Sequence, residues 1–261
     1  MAVANRGFLR VIRFRFREYR ACHPMRMIML EVGRIYNEQA VQPPCYQLII
    51  LDFDGVILES VSIKTDAFRE LFRPYPEHLD RILAFHLGNL GTSRFDKIRY
   101  IYRDILKKDL SPDEYQRLLA RYADLVLEKV LRAPFVSGAL EFLERFHRKV
   151  PLYIVSATPQ DEIRFIVQER GLSRYFHGVY GSPMKKVESM REILATSGTE
   201  PGSALFVGDA QNDLHAARAL GVPFVGRVSR GAANSFLGES DVVGVVNDLD
   251  ELGKYIGERE C

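Results

Sequence analysis

Asp52-Phe53-Asp54-Gly55 sets two carboxylates two residues apart, ahead of a glycine that permits a sharp turn. Carboxylates this close repel, and a cation or a shared proton relieves them. A hard divalent ion such as magnesium, held by a few carboxylates and a substrate phosphate, is the natural solution. Gly208-Asp209-Ala-Gln-Asn-Asp213 supplies two more acids, one helical turn apart. Ser156-Ala157-Thr158-Pro159 offers a hydroxyl beside what reads as a helix N-terminus, a place for an anion, with Thr158 as N-cap and Pro159 at the first helical position. Gly181-Ser-Pro-Met-Lys185-Lys186 brings lysines able to neutralise a phosphate. Each stretch alone has an ordinary explanation: an acidic turn, a capped helix, a solvated lysine pair, acids at a helix start.

The elements between these stretches give them a common address. Tyr46–Phe53, Leu152–Val155 and Ala204–Val207 are short, β-branched apolar runs of the kind that form buried parallel strands, with Val222–Val225 and Val242–Val246 as weaker ones. Helix-period stretches separate them: Ala139–Arg148, Pro159–Arg170, Met184–Ala195, Leu214–Leu220 and Leu249–Ile256. Alternating strands and helices predict an α/β fold, a Rossmann-like parallel sheet covered on both faces. In such a sheet, ligands bind outside the carboxyl ends of the strands, where the three strong runs end in Asp52, Ser156 and Asp209. Residues 62–134 break the rhythm with helical periodicity (Phe68, Leu71 and Phe72; Leu118, Leu119, Tyr122 and Leu125) and read as an all-helical insertion. The expected organisation is a basic extension over 1–44, a core from 45–61 and 135–261, and a helical cap over 62–134.

In this order, DFDGV, VSAT, SPMKK and GDAQND resemble the haloacid dehalogenase superfamily, within it the phosphoglycolate phosphatase and β-phosphoglucomutase-like subgroup, over residues 46 to about 246. The resemblance implies that Asp52 attacks phosphorus and becomes an aspartyl phosphate, and that Asp54 protonates the leaving alcohol and then activates water. It implies magnesium held by Asp52, the backbone carbonyl of Asp54 and Asp209, supported by Asp213, with Ser156, Ala157 and a lysine binding the phosphoryl oxygens. Lys186 fits the family spacing better than Lys185, though the sequence leaves both open. Gly91-Thr92-Ser93-Arg94 is similar to the cap recognition loop of sugar-phosphate members, making Arg94 a specificity candidate; an ordinary helix start capped by Thr92 or Ser93 fits equally well. Glu59-Ser60 matches the family flank, with Glu in place of the commoner Asp.

The implied activity is hydrolysis of a small phosphomonoester of the sugar-phosphate or phosphoglycolate type, with sugar phosphomutation as the alternative. Asp54 argues against a dehalogenase and against a phosphonate hydrolase, and the full set of side chains argues against a binding module that has lost turnover.

Composition narrows the rest. Apolar residues at 47% and charged residues at 27% exclude wholesale disorder, and no apolar run is long enough to span a bilayer. Residues 1–26 carry seven arginines against Glu18, a local +6, which leaves −4 of the net +2 for residues 27–261. A mildly acidic body is no footprint for nucleic acid. The arginines at 6, 10, 13, 17 and 20 would share one helical face, readable as a membrane-surface helix or as an extension outside the fold. Cys22, Cys45 and Cys261 form no disulfide framework, which suits a reducing, cytoplasmic setting. The partner expected is a small phosphorylated metabolite.

Overall fold

The computed structural model describes residues 46–257; the basic N-terminal segment and all three cysteines lie outside them. Six parallel strands form one sheet: β1 (Leu48–Leu51), β2 (Leu152–Pro159), β3 (Gly178–Ser182), β4 (Ala204–Gly208), β5 (Phe224–Arg227) and β6 (Val242–Val246), in the order β3-β2-β1-β4-β5-β6. All four residues of β1 are buried, as expected of a strand with helices on both faces. Ile49 and Leu51 pack into one apolar cluster and Leu48 and Ile50 into another. The first is covered by α5 (Ala139–Phe146), α6 (Gln160–Glu169) and α9 (Leu249–Gly257), through residues such as Phe142, Ile163 and Leu252. The second is covered by α7 (Lys186–Ser197) and α8 (Gln211–Leu220), through Met190, Ile193 and Leu214.

Between β1 and β2 the chain leaves the sheet for a helical insert, the cap. Its helices are α1 (Val61–Leu71), α2 (Leu79–Leu87), α3 (Arg94–Tyr100, running on as a π-helical stretch Ile101–Leu106) and α4 (Pro112–Leu131). Phe68 packs against His86 of α2 and Tyr122 of α4, with ring centroids 4.4 and 4.9 Å away. Ser111 caps α4 by accepting from the Glu114 N–H (3.2 Å), with Pro112 at the first helical position.

β3 is the strand that sequence patterning misses; GSPMKK reads there as a turn. Its Gly181 is required by packing, since a Cβ would lie 2.6 Å from the Thr158 carbonyl oxygen and 2.8 Å from the Gln160 backbone. Gln160 instead ties the edge together, accepting from Gly181 N (2.6 Å) and donating to Val179 O (2.8 Å). A second correction concerns β2, which continues through Thr158 to Pro159, so α6 starts at Gln160 with no side-chain cap. Among the described residues no helix is long and apolar enough to cross a membrane.

Candidate active site

The chain moves outward from β1 to β2 and β3, then returns to the other side of β1 as β4, so the strand order reverses between β1 and β4. Leu51 pairs with Val207, and Asp52 N donates to Val207 O (2.9 Å). Asp52 and Asp209 therefore leave adjacent strands side by side at the switch point, where open α/β sheets place their ligands. Carboxylate oxygens of Asp52, Asp209 and Asp213 lie within 4.8 Å of one another. Gly55, at φ +75°, and Gly208 make this approach feasible, since a Cβ on either would collide with Asp209 or Asp213 respectively.

Lys186 enters the cluster from the start of α7. Its Nζ lies 2.8 Å from Asp52 Oδ2 and 2.5 Å from Asp213 Oδ1, and the residue is 8% exposed. Lys185 is exposed, so Lys186 is the lysine at the site. Asp213 has a second task, accepting from Ala210 N (3.1 Å) at the start of α8. The helix-start reading of this acid holds, and the structure adds its contact with Lys186.

One lysine does not neutralise three carboxylates, two of them buried and Asp209 half-buried. Burial pushes Asp52 up to about 7 although Lys186 opposes it, with Asp213 and Asp54 adding to the rise. Burial, then Asp52 and Asp213, raise Asp209 well above the ordinary carboxylate range. Hard oxygen donors with this excess of negative charge fit a divalent cation.

Asp54 faces other partners. Its Oδ1 accepts from Ser60 Oγ (2.6 Å) and its Oδ2 from Thr158 Oγ1 (3.0 Å) and Lys64 Nζ, while Lys64 also donates to Thr158 Oγ1 (2.8 Å). Burial would raise its pKa, but Lys64 and the two hydroxyls outweigh it and hold Asp54 below the usual range. Thr158 is thus no N-cap; its hydroxyl is turned into the site. Lys64 is the residue that sequence reasoning passed over, although Ser60 and Lys64 are four apart at the start of α1 and so share a face.

Asp52, Asp54, Asp209, Ala157 and Thr158 line a cavity of about 40 Å³ whose roof is cap: Lys64, His86, Arg94, Lys97 and Tyr122. Ser156, Ala157 and Lys186 line an adjoining cleft of about 320 Å³. Ser156 is buried and its Oγ accepts from Thr158 N (3.1 Å).

Beside the Lys64 contacts, two further side-chain hydrogen bonds near the cavity tie the cap to the core. Arg94 Nη2 donates to Glu162 Oε1 of α6 (2.5 Å), and Asn212 Nδ2 of α8 donates to Thr92 Oγ1 (2.5 Å). Arg94 is 7% exposed and lies over the Tyr122 ring. Ser93 caps α3 by accepting from Asp96 N (3.4 Å), so the helix-start reading of this loop holds while Arg94 still borders the cavity. Glu59 receives Arg227, which also donates to Gly55 O (3.1 Å) and so braces the turn after Asp54.

Known proteins are similar to this chain in sequence and in shape. The haloacid dehalogenase-like hydrolase family model matches residues 49–227. The phosphoglycolate phosphatase of Rhodospirillum rubrum is 26% identical over 221 residues, covering 80% of this chain and 90% of that protein. Phosphoglycolate phosphatase 1 of Pseudomonas aeruginosa is 25% identical over 185 residues, 67% of each. Among solved structures, a hydrolase from Pseudomonas syringae superposes with a TM-score of 0.67 at 20% identity, covering 81% of this chain and 98% of that one. CbbY from Rhodobacter sphaeroides, in complex with phosphate, gives 0.62 at 17%, covering 80% and 96%.

Proposed function

The chain belongs to the haloacid dehalogenase-like hydrolases, and from that membership we propose a magnesium-dependent phosphatase acting on a small phosphomonoester through an aspartyl phosphate on Asp52. The observation that carries this reading is one pair of carboxylates in two environments. Asp52 lies beside Lys186, Asp209 and Asp213, whereas Asp54, two residues on, is held apart by Ser60, Lys64 and Thr158. Environments that separate two acids in this way suit them to different roles.

In the first half-reaction an Asp52 oxygen bonds to phosphorus as the bond to the leaving oxygen breaks, and Asp54 gives that oxygen a proton. Lys186, the Ser156 hydroxyl and the Ala157 N–H receive the phosphoryl oxygens. In the second half-reaction water attacks phosphorus, its proton passes to Asp54, and the bond to Asp52 breaks, freeing the carboxylate. The lowered proton affinity of Asp54 leaves it as a carboxylate in the free protein, the form the second half needs; an arriving phosphoryl dianion raises that affinity by like charge. Magnesium would be held by Asp52, the Asp54 carbonyl and Asp209, with Asp213 in support, and would supply charge neutralisation for carboxylates and phosphoryl group together.

The names of the relatives favour phosphoglycolate as a substrate type. The cavity of about 40 Å³ between Asp54 and the cap suits a short leaving group. The test is phosphate release from a panel of small phosphate esters with and without magnesium. Asp52→Asn should abolish release while leaving the circular dichroism spectrum unchanged. Undiminished turnover in that variant would rule out Asp52 as nucleophile.

A further inference from the structure

We propose that Lys97 reads the leaving group, and that the group it takes is a carboxylate on a short chain; this rests on the phosphatase reading above. Each of the other cations on the cavity wall has an acid. Lys64 is paired with Asp54 and Arg94 with Glu162. Lys97 lines the same cavity, is 2% exposed, and has no carboxylate partner among the described residues. Its Nζ donates to His86 Nδ1 (3.2 Å) and His86 O (3.4 Å), and the ring of Phe68 lies 5.6 Å from it. Two of its three N–H groups are thereby used on neutral acceptors, and one is left over.

The surroundings hold the ammonium in place without neutralising it. Thr65 gives its hydroxyl proton to Val61 O (3.0 Å), so its oxygen must accept from His86 Nε2 (3.2 Å). The proton of His86 is therefore on Nε2, and Nδ1 is free to accept from Lys97. Burial, then Lys97 and Lys64, push His86 down to about 3, so it stays neutral and adds no competing charge. Burial, then Lys64, lower Lys97 to about 7 although the carboxylates of Asp209 and Asp54 oppose them from a distance, the condition of a buried cation with no carboxylate in contact. A carboxylate on the substrate would supply that charge and take the remaining N–H. The small cavity keeps the chain between phosphate and carboxylate short. A neutral leaving group would leave Lys97 as it stands, buried and without a carboxylate in contact.

The test compares 2-phosphoglycolate with 2-hydroxyethyl phosphate, which keeps the two-carbon chain and replaces the carboxylate by a hydroxyl. The wild type should favour the acid by about 100-fold or more in kcat/KM, and Lys97→Met should bring that ratio towards one, chiefly through KM on the acid. Lys97→Arg, which keeps the cation, should retain part of the preference. A wild-type ratio near one, or a Lys97→Met ratio equal to the wild type's, overturns the inference. Should Lys97→Met not fold, competition by glycolate in the wild type decides, and its absence also overturns it. Asp52-dependent hydrolysis without acid preference removes this inference alone. Absence of Asp52-dependent release from every ester tested removes the phosphatase reading and this one with it.

Discussion

Asp52, buried, and Asp54, half-buried two residues on, are shifted in opposite directions because their donors differ. Asp54 has Ser60, Lys64 and Thr158 to itself, while Asp52 shares Lys186 with Asp213 and faces Asp209. Sequence spacing conveys the pairing of acids but not the donors, which come from α1 and from the far end of β2. Thr158 shows why. Ahead of Pro159 it satisfies every local rule for a helix cap, and only the extra length of β2 turns its hydroxyl towards Asp54. His86 is the residue whose titration is separable from this cluster. Held down to about 3 in the fold against 6.5 unfolded, it binds fewer protons folded than unfolded between those values. Its contribution to stability is therefore complete above 6.5 and is lost as pH falls. With magnesium saturating, the wild type should lose about 1.4 kcal/mol per pH unit below 6.5 relative to His86→Gln, which does not titrate. Urea unfolding at pH 7, 6 and 5 measures this, and parallel curves for the two proteins would refute it.

At the scale of elements, the sheet was legible where apolar runs were continuous. β1 and β4 fall inside the expected runs or within one residue of them, and Val242–Val246 is reproduced as β6, whereas β3 was lost because close packing at its edge demands the glycine that erases its strand signature. The cap helices were legible as periodicity, but not where the loop before α3 meets the core. Gly91 is pressed there against α8: a Cβ would lie 2.9 Å from Asn212 Cβ and 3.4 Å from Ala210 Cβ. Gly91→Val would add bulk at this contact, beside the Asn212–Thr92 hydrogen bond, while touching nothing in either apolar cluster. It should lower kcat/KM by about tenfold or more by holding the cap off the core. Unaltered kinetics would mean that this approach of cap to core is not needed for turnover.

Across the whole molecule, folding concentrates acids at one end of the sheet that the unfolded chain keeps apart. Asp52 follows β1 and Asp209 follows β4, so their repulsion is created by the tertiary fold, and the cluster suits a cation at a site that exists only in the folded state. Asp209 shows the cost most directly, because burial and its neighbours raise its pKa well above the ordinary range. Without metal, Asp209→Asn should therefore be more stable than the wild type at pH 8, since the amide removes a carboxyl group that burial, Asp52 and Asp213 all disfavour in its charged form. With magnesium the order should reverse. A ligand at about 100 times its dissociation constant adds roughly 2.7 kcal/mol to the folded state, or about 5 to 10 °C for a chain of this size, and the variant should gain little of it. Melting curves of both proteins with EDTA and with millimolar magnesium provide all four values. Equal magnesium shifts in wild type and Asp209→Asn would remove Asp209 from the cation site, and a metal-free variant less stable than the wild type would remove the repulsion on which that site is argued.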